Sequence, residues 1–253
     1  MIVQVIRCIL IFSLYSTLLE AQIVNIEQFR ARLDTNRWSF SEQLNLGLLR
    51  NTQRLISFNN NLGLQFQQKK FRSILLSNFD FSSNDNNDIE RSGFLHLRFE
   101  NSFTKYWSLE YFGQAQMDVP LKISQRYLLG AGLRAALQKR KKLSFYTGHL
   151  VMAEYDEEIE TGIRHQDLRL SSYLNLNWHP SSNFTCLLIA YYQPRLDKFS
   201  DYRLSFQGQL AFKIWKSLSF TFNAQYAFDA FPVALANIPQ VTYKLSNGVS
   251  FKL

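Results

Sequence analysis

Hydrophobic side chains fall at every second position over most of this chain, and that single regularity restricts it to β-strands with two unlike faces. In LISFNNNLGLQFQQ, Ile56, Phe58, Leu62, Leu64 and Phe66 share one face, while Ser57, Asn59, Asn61, Gly63, Gln65 and Gln67 share the other. SLSFTFNAQYAFD sets Leu218, Phe220, Phe222, Ala224, Tyr226 and Phe228 against Ser219, Thr221, Asn223 and Gln225. The pattern continues to the last residue, where Val241, Tyr243, Leu245, Val249, Phe251 and Leu253 stand opposite Thr242, Lys244, Ser250 and Lys252.

Of the residues, 46% are hydrophobic and 15% aromatic. Yet past the first two dozen no stretch reaches the ~18 apolar residues of a membrane-spanning helix. About twelve alternating segments follow instead, near 38–50, 54–67, 71–81, 92–102, 106–117, 125–137, 142–155, 166–178, 183–193, 201–214, 217–229 and 240–253. Those at 71–81 and 142–155 alternate poorly. Tight connections (QQKK, NSFTK, QKRKK, HPSSN, WKS) take turns with longer ones (SSNDNNDIER, DVPLKIS, DEEIETGIRH, PRLDKFS, AFPVALANIP), with only the first hairpin, around RNTQ, breaking the rule. Short turns at one end and longer loops at the other are the habit of bacterial outer-membrane barrels. Trp38, Trp107, Trp178 and Trp215 all fall at the short-turn end, as an aromatic belt at the periplasmic rim would. The fold expected is therefore an all-β, transmembrane, antiparallel up-and-down barrel of about twelve strands, closed by pairing its last strand with its first. A soluble secreted β-barrel binding protein is the alternative, but its inward apolar face would give an oversized core.

The first residues, MIVQVIRCILIFSLYSTLLEAQ, read as a secretory signal peptide of residues 1–21. A periplasmic leader at 22–37 and a single barrel domain at 38–253 follow. Removal of the signal leaves Cys186 as the sole cysteine, which excludes an intramolecular disulfide. The net charge of +8 suits nucleic acid but also an anionic lipid surface. KRKK at 139–142 lacks the stacking aromatics of a nucleic-acid site and fits a rim held by headgroups. NDNND (84–88) and DEEIE (156–160) read as solvated outer loops, the latter placed to share bridging cations with lipopolysaccharide. His96, His149, His165 and His179 have no metal-ligand spacing, and no cofactor is implied.

The ending Ser246-x-Gly248-x-x-Phe251-x-Leu253 resembles the C-terminal targeting signal of outer-membrane barrels, with leucine where an aromatic is most usual. That implies export to the outer membrane, with the barrel-assembly machinery, lipid and lipopolysaccharide as partners. At LKISQRYLLGAGLRAAL, HQDLRLSSYLNL and YYQPRLDKFSDYRLS the chain resembles the outer-membrane family called domain of unknown function 481. The resemblance runs over nearly all of the mature chain. It implies a barrel and brings no catalytic residues.

Parity assigns Glu42, Arg98, Glu100, Glu110, Arg126, Arg134, Glu154, Arg169, Arg203 and Asp229 to the lumen. Charges of both signs there are expected to form a network that fills and stiffens a narrow barrel, or else to line a small pore for polar or anionic solutes. A lipid hydrolase is the competing class: His149 and Ser172 fall on the lipid-facing parity of consecutive strands, within reach of one another.

Overall fold

The computed structural model describes residues 37–50, 54–84, 88–215, 217–233 and 238–251. The expected signal peptide, nearly all of the leader, the middle of NDNND and Leu253 lie outside them. Twelve strands follow in order: β1 (Trp38–Arg50), β2 (Arg54–Gln68), β3 (Phe71–Asn84), β4 (Asp88–Ser102), β5 (Trp107–Asp118), β6 (Ile123–Arg140), β7 (Leu143–Glu158), β8 (Arg164–Ser181), β9 (Phe184–Pro194), β10 (Tyr202–Lys213), β11 (Leu218–Asp229) and β12 (Val241–Phe251). They form one sheet in sequence order, each strand antiparallel to the next. The strand number thus agrees with the alternation.

The strands run from 11 to 18 residues, longer than the ~9–11 that cross a hydrocarbon core, so their ends project beyond it. This corrects the expected loops. β3 continues to Asn84 and β4 starts at Asp88, so most of SSNDNNDIER is ladder. DEEIETGIRH likewise shrinks to a turn at 159–163, because Glu157 still pairs with Arg164. The β9–β10 and β11–β12 connections remain long, and the contrast between the two ends is weaker than the sequence suggests.

Burial alternates along the middle strands. In β7, Gly148, Leu150, Met152 and Glu154 are buried while His149, Val151 and Ala153 are exposed. The outward set includes Leu129, Leu168, Val151 and Leu174, at 50–70% exposure. A wall of such side chains around a whole sheet is stable in lipid, not in water. Aromatic pairs line both ends. Trp38–Phe66, Phe99–Tyr111 and Trp178–Phe184 lie at the short-turn end, with centroids 4.6, 5.1 and 5.6 Å apart. Tyr127–Tyr155, Tyr192–Tyr202 and Tyr202–Phe228 form a second girdle at the other, which the sequence reading does not anticipate.

The two poorly alternating strands have a physical reason. Ile74 and Leu76 of β3 point inward and pack with Phe94, and Leu150 and Met152 of β7 point inward against Phe112, Tyr173, Ile189 and Tyr191. The interior therefore holds apolar patches of its own.

The sheet curls enough for distant strands to touch across that interior. Tyr173 of β8 donates its hydroxyl to Glu110 of β5 at 2.7 Å, and Arg203 of β10 reaches Glu154 of β7. Gly148 makes the first contact sterically accessible, since a Cβ there would overlap the Tyr173 ring. The expected closing ladder between β12 and β1 is not among those the described residues form. Leu46 and Leu245, which face outward on these two strands, are 81% and 62% exposed.

Candidate functional site

Most of the inward charges belong to two clusters at different heights, not to the single network expected. The upper one, toward the longer loops, centres on Glu154. Its carboxylate lies 3.1 Å from Arg126 Nε and 2.8 Å from Arg169 Nε, and it also accepts from Arg203. Arg126 is held by Asp156 through two hydrogen bonds at 2.5 and 2.7 Å. Arg203 also pairs with Asp229 at 3.0 Å, and Arg169 with Asp201 at 3.0 Å. Glu154, Arg126 and Arg169 are 2–4% exposed, so their charges persist because each meets the other sign.

Four members of this cluster escape the sequence reading. Asp156 and Asp167 sit on inward parity near strand ends, inside or beside stretches that look like loops. Arg195 and Asp201 belong to the β9–β10 connection, which alternation cannot place. Arg195 nonetheless lies 3.4 Å from both Asp167 and Asp201. Its donation to Asp197 at the tip of the same connection holds that carboxyl below the usual carboxylate range.

The lower cluster lies toward the tryptophan rim. Arg98 pairs with Glu110 at 3.2 Å. The Tyr173 hydroxyl accepts from Arg134 at 2.8 Å while donating to Glu110. Arg98 stacks on Phe112 and Arg134 on Tyr146, at 4.8 and 4.1 Å, where the negative face of each ring attracts the guanidinium. Glu100 pairs with Arg72 of β3, a partner that the sequence reading does not name. Between the clusters lies the apolar collar of Phe112, Leu150, Met152, Ile189 and Tyr191.

Glu42 is a correction. It shares the parity of Trp38, Phe40, Leu44 and Leu46, so it projects outward, where it accepts from the Asn60 amide. Its charge suggests the lumen, but its position in the alternation points out.

Above the upper cluster opens a cavity of about 410 Å³ whose wall includes Arg169, Asp201, Lys198, Phe231 and Ile163. Below it lies a void of about 30 Å³ beside His96, Gln114 and Ser171, room for one water. The charged layer separates the two.

On the outer wall, His149 and Ser172 are direct cross-strand partners, with Nδ1 and Oγ 3.0 Å apart. Thr147 donates to the Tyr173 carbonyl at 3.0 Å and its oxygen lies 3.3 Å from His149 Nε2. The arrangement lets Nε2–H donate to Thr147 and leaves Nδ1 to accept from Ser172. The sequence reading thus places this pair and its face in register, but β8 is laddered on both sides at Ser172. Its own backbone is engaged in the ladder there. The three side chains satisfy one another within an apolar wall. Among the described residues, no group of three or more His, Cys, Asp or Glu is arranged to hold a metal ion.

Two-faced strands in an unbroken antiparallel order, an apolar exterior girdled at both ends and a polar, ion-paired interior define a transmembrane up-and-down β-barrel. The chain belongs to the family described as protein of unknown function DUF481, whose model matches residues 43–251. No curated protein matches it. Among solved structures, it is similar to the NanC porin at 11% identity and a TM-score of 0.48, covering 78% of this chain and 94% of that one. It is also similar to the CymD monoaromatic hydrocarbon channel, at 10% identity and 0.43 over 87% and 81%. The KdgM porin in complex with disordered oligogalacturonate gives 10% and 0.40 over 79% and 96%.

Proposed function

We propose that this protein is a narrow passage barrel of the bacterial outer membrane, in which the two charged clusters are fixed struts that fill one side of the lumen. The observation that carries this reading is the difference between the two sides of the interior. From β4 to β9 most inward residues are buried and most of the charged ones among them are ion-paired, whereas those of β11 and most of β2 are only half-buried. The geometry favours a stiffening role for the arginines over pore lining, because Arg126 and Arg134 are 3% and 4% exposed with their charges engaged. The signal-like N-terminus and the C-terminal strand support export to that membrane, with lipid, lipopolysaccharide and the barrel-assembly machinery as partners.

The test is conductance of refolded protein in a planar bilayer. Small discrete steps are expected. The Arg126→Ala/Arg134→Ala variant should lose stability yet keep the wild-type ion selectivity. A folded barrel that conducts nothing overturns the passage reading, and a selectivity shift in the variant restores the arginines to the pore wall.

The His149–Ser172 contact raises a competing reading, hydrolysis of membrane lipid. Because His149, Ser172 and Thr147 satisfy one another within an apolar wall, the purified barrel is expected to leave phospholipid vesicles intact. Fatty-acid release that disappears in Ser172→Ala would reverse this conclusion.

A further inference from the structure

Amides dominate the less crowded side of the lumen. Asn45, Asn59, Asn61 and Asn78 of β1–β3 form a hydrogen-bonded ladder across three strands, with contacts of 2.8–3.0 Å. Gln209 donates to Asn223 at 2.9 Å on the other flank, between β10 and β11. Parity points each of these side chains inward. Some polar groups of this region are buried without a protein partner for their remaining capacity: both amide atoms of Gln65, Asn78 Oδ1, Asp80 Oδ2 and Ser205 Oγ. Gln65 and Asp80 are each 2% exposed, so the wall behind the amides is itself polar.

Resting on the passage reading above, we infer that the solute path follows this amide-lined side, between β1–β3 and β10–β12, and takes neutral polyhydroxylated solutes. An amide offers a donor and an acceptor side by side, and a sugar hydroxyl offers the same, so each exchanges water for an equivalent partner. An anion would need a cation not already claimed by a carboxylate. Between the rims this side carries Arg72, Asp80, Arg203, Asp229 and Lys244, so both signs are present, and its two arginines are held by carboxylates, as are those of the other side. Bound water between amides also exchanges at little cost, which suits passage better than tight capture.

Proteoliposome swelling with glucose and with gluconate separates the outcomes, because the two are of similar size and differ in charge. The wild-type protein is expected to admit glucose faster than gluconate. Asn61→Leu/Asn223→Leu should cut glucose entry by about an order of magnitude while heat-modifiable migration in gels shows the barrel still folded, because each leucine replaces a hydrogen-bonding wall by an apolar one. The milder Asn61→Ser/Asn223→Ser pair keeps the wall polar and should retain most of the entry. If folded wild-type protein admits neither solute, the passage reading itself fails. Entry that ignores the amide variants but responds to Arg126→Ala/Arg134→Ala, or gluconate entering faster than glucose, overturns the inferred path while leaving the passage reading intact.

Discussion

Glu154→Gln is expected to destabilise the barrel by about 3–5 kcal/mol, the range found when one partner is removed from a buried ion pair. The change keeps the side chain's shape but removes the negative charge that Arg126, Arg169 and Arg203 share, and it turns one of the two acceptor oxygens into an NH2 donor that faces a guanidinium. Asp156, Asp201 and Asp229 still pair with these arginines from the flanks, so the guanidiniums are not left wholly uncompensated. What is lost is the anion at the centre, 1% exposed at its side chain, where three cations then face each other across a neutral amide. Urea titration of the protein refolded in detergent reads the effect as a lower midpoint with an unchanged slope. Asp197→Asn, which breaks a pair at an exposed loop tip, should leave the midpoint where it was. If both variants behave alike, water screens the upper cluster and it is no strut.

The same residues show what an amino-acid sequence discloses here. Alternation reports the face a side chain occupies, so the inward positions of Arg98, Glu110, Arg126, Arg134, Glu154, Arg169 and Arg203 are legible from parity. It reports nothing of height along the barrel, and what parity presents as one continuous network separates into two clusters with an apolar collar between them. That collar and the separate Ile74–Leu76–Phe94 patch are also why β7 and β3 read ambiguously, since Ile74, Leu76, Leu150 and Met152 put hydrophobic side chains on the polar face. Arg195 and Asp201 lie in a connection, where no periodicity operates. The outer tyrosine girdle does leave a signal: Tyr127, Tyr155, Tyr192 and Tyr202 stand at the ends of strands opposite the tryptophans. Glu42 shows the opposite error, in which residue type outweighs position.

Cysteines at Leu46 and Leu245, in protein carrying Cys186→Ser, are expected to form a disulfide almost completely on mild oxidation. Following cross-strand partners from Trp38 leads through Phe66, Ser73, Phe99, Tyr111, Ala131, Val151 and Leu170. Continued past Pro194 and Tyr202, the path arrives at the connection just before Val241. The level of Trp38 at the tryptophan rim is thus carried to the far end of β12, so the sheet climbs about one strand length in its circuit. Twelve strands about 4.8 Å apart, rising about 3.3 Å per residue and tilted about 40°, close with a stagger of about 14 residues. That stagger brings β12 back alongside β1 with Leu245 opposite Leu46 on the outer face. A link from Leu245 to a cysteine at Leu44 or Leu48 instead would mean a stagger two residues smaller or larger, with closure still intact. The absence of all three links would leave two edges of unpaired backbone in lipid, where each unsatisfied group costs several kcal/mol, and would overturn the closed barrel. Closure also decides the lumen: it sets the polar face of β12, with Thr242, Lys244 and Gly248, against that of β1, and so joins the two flanks of the amide-lined side into one wall.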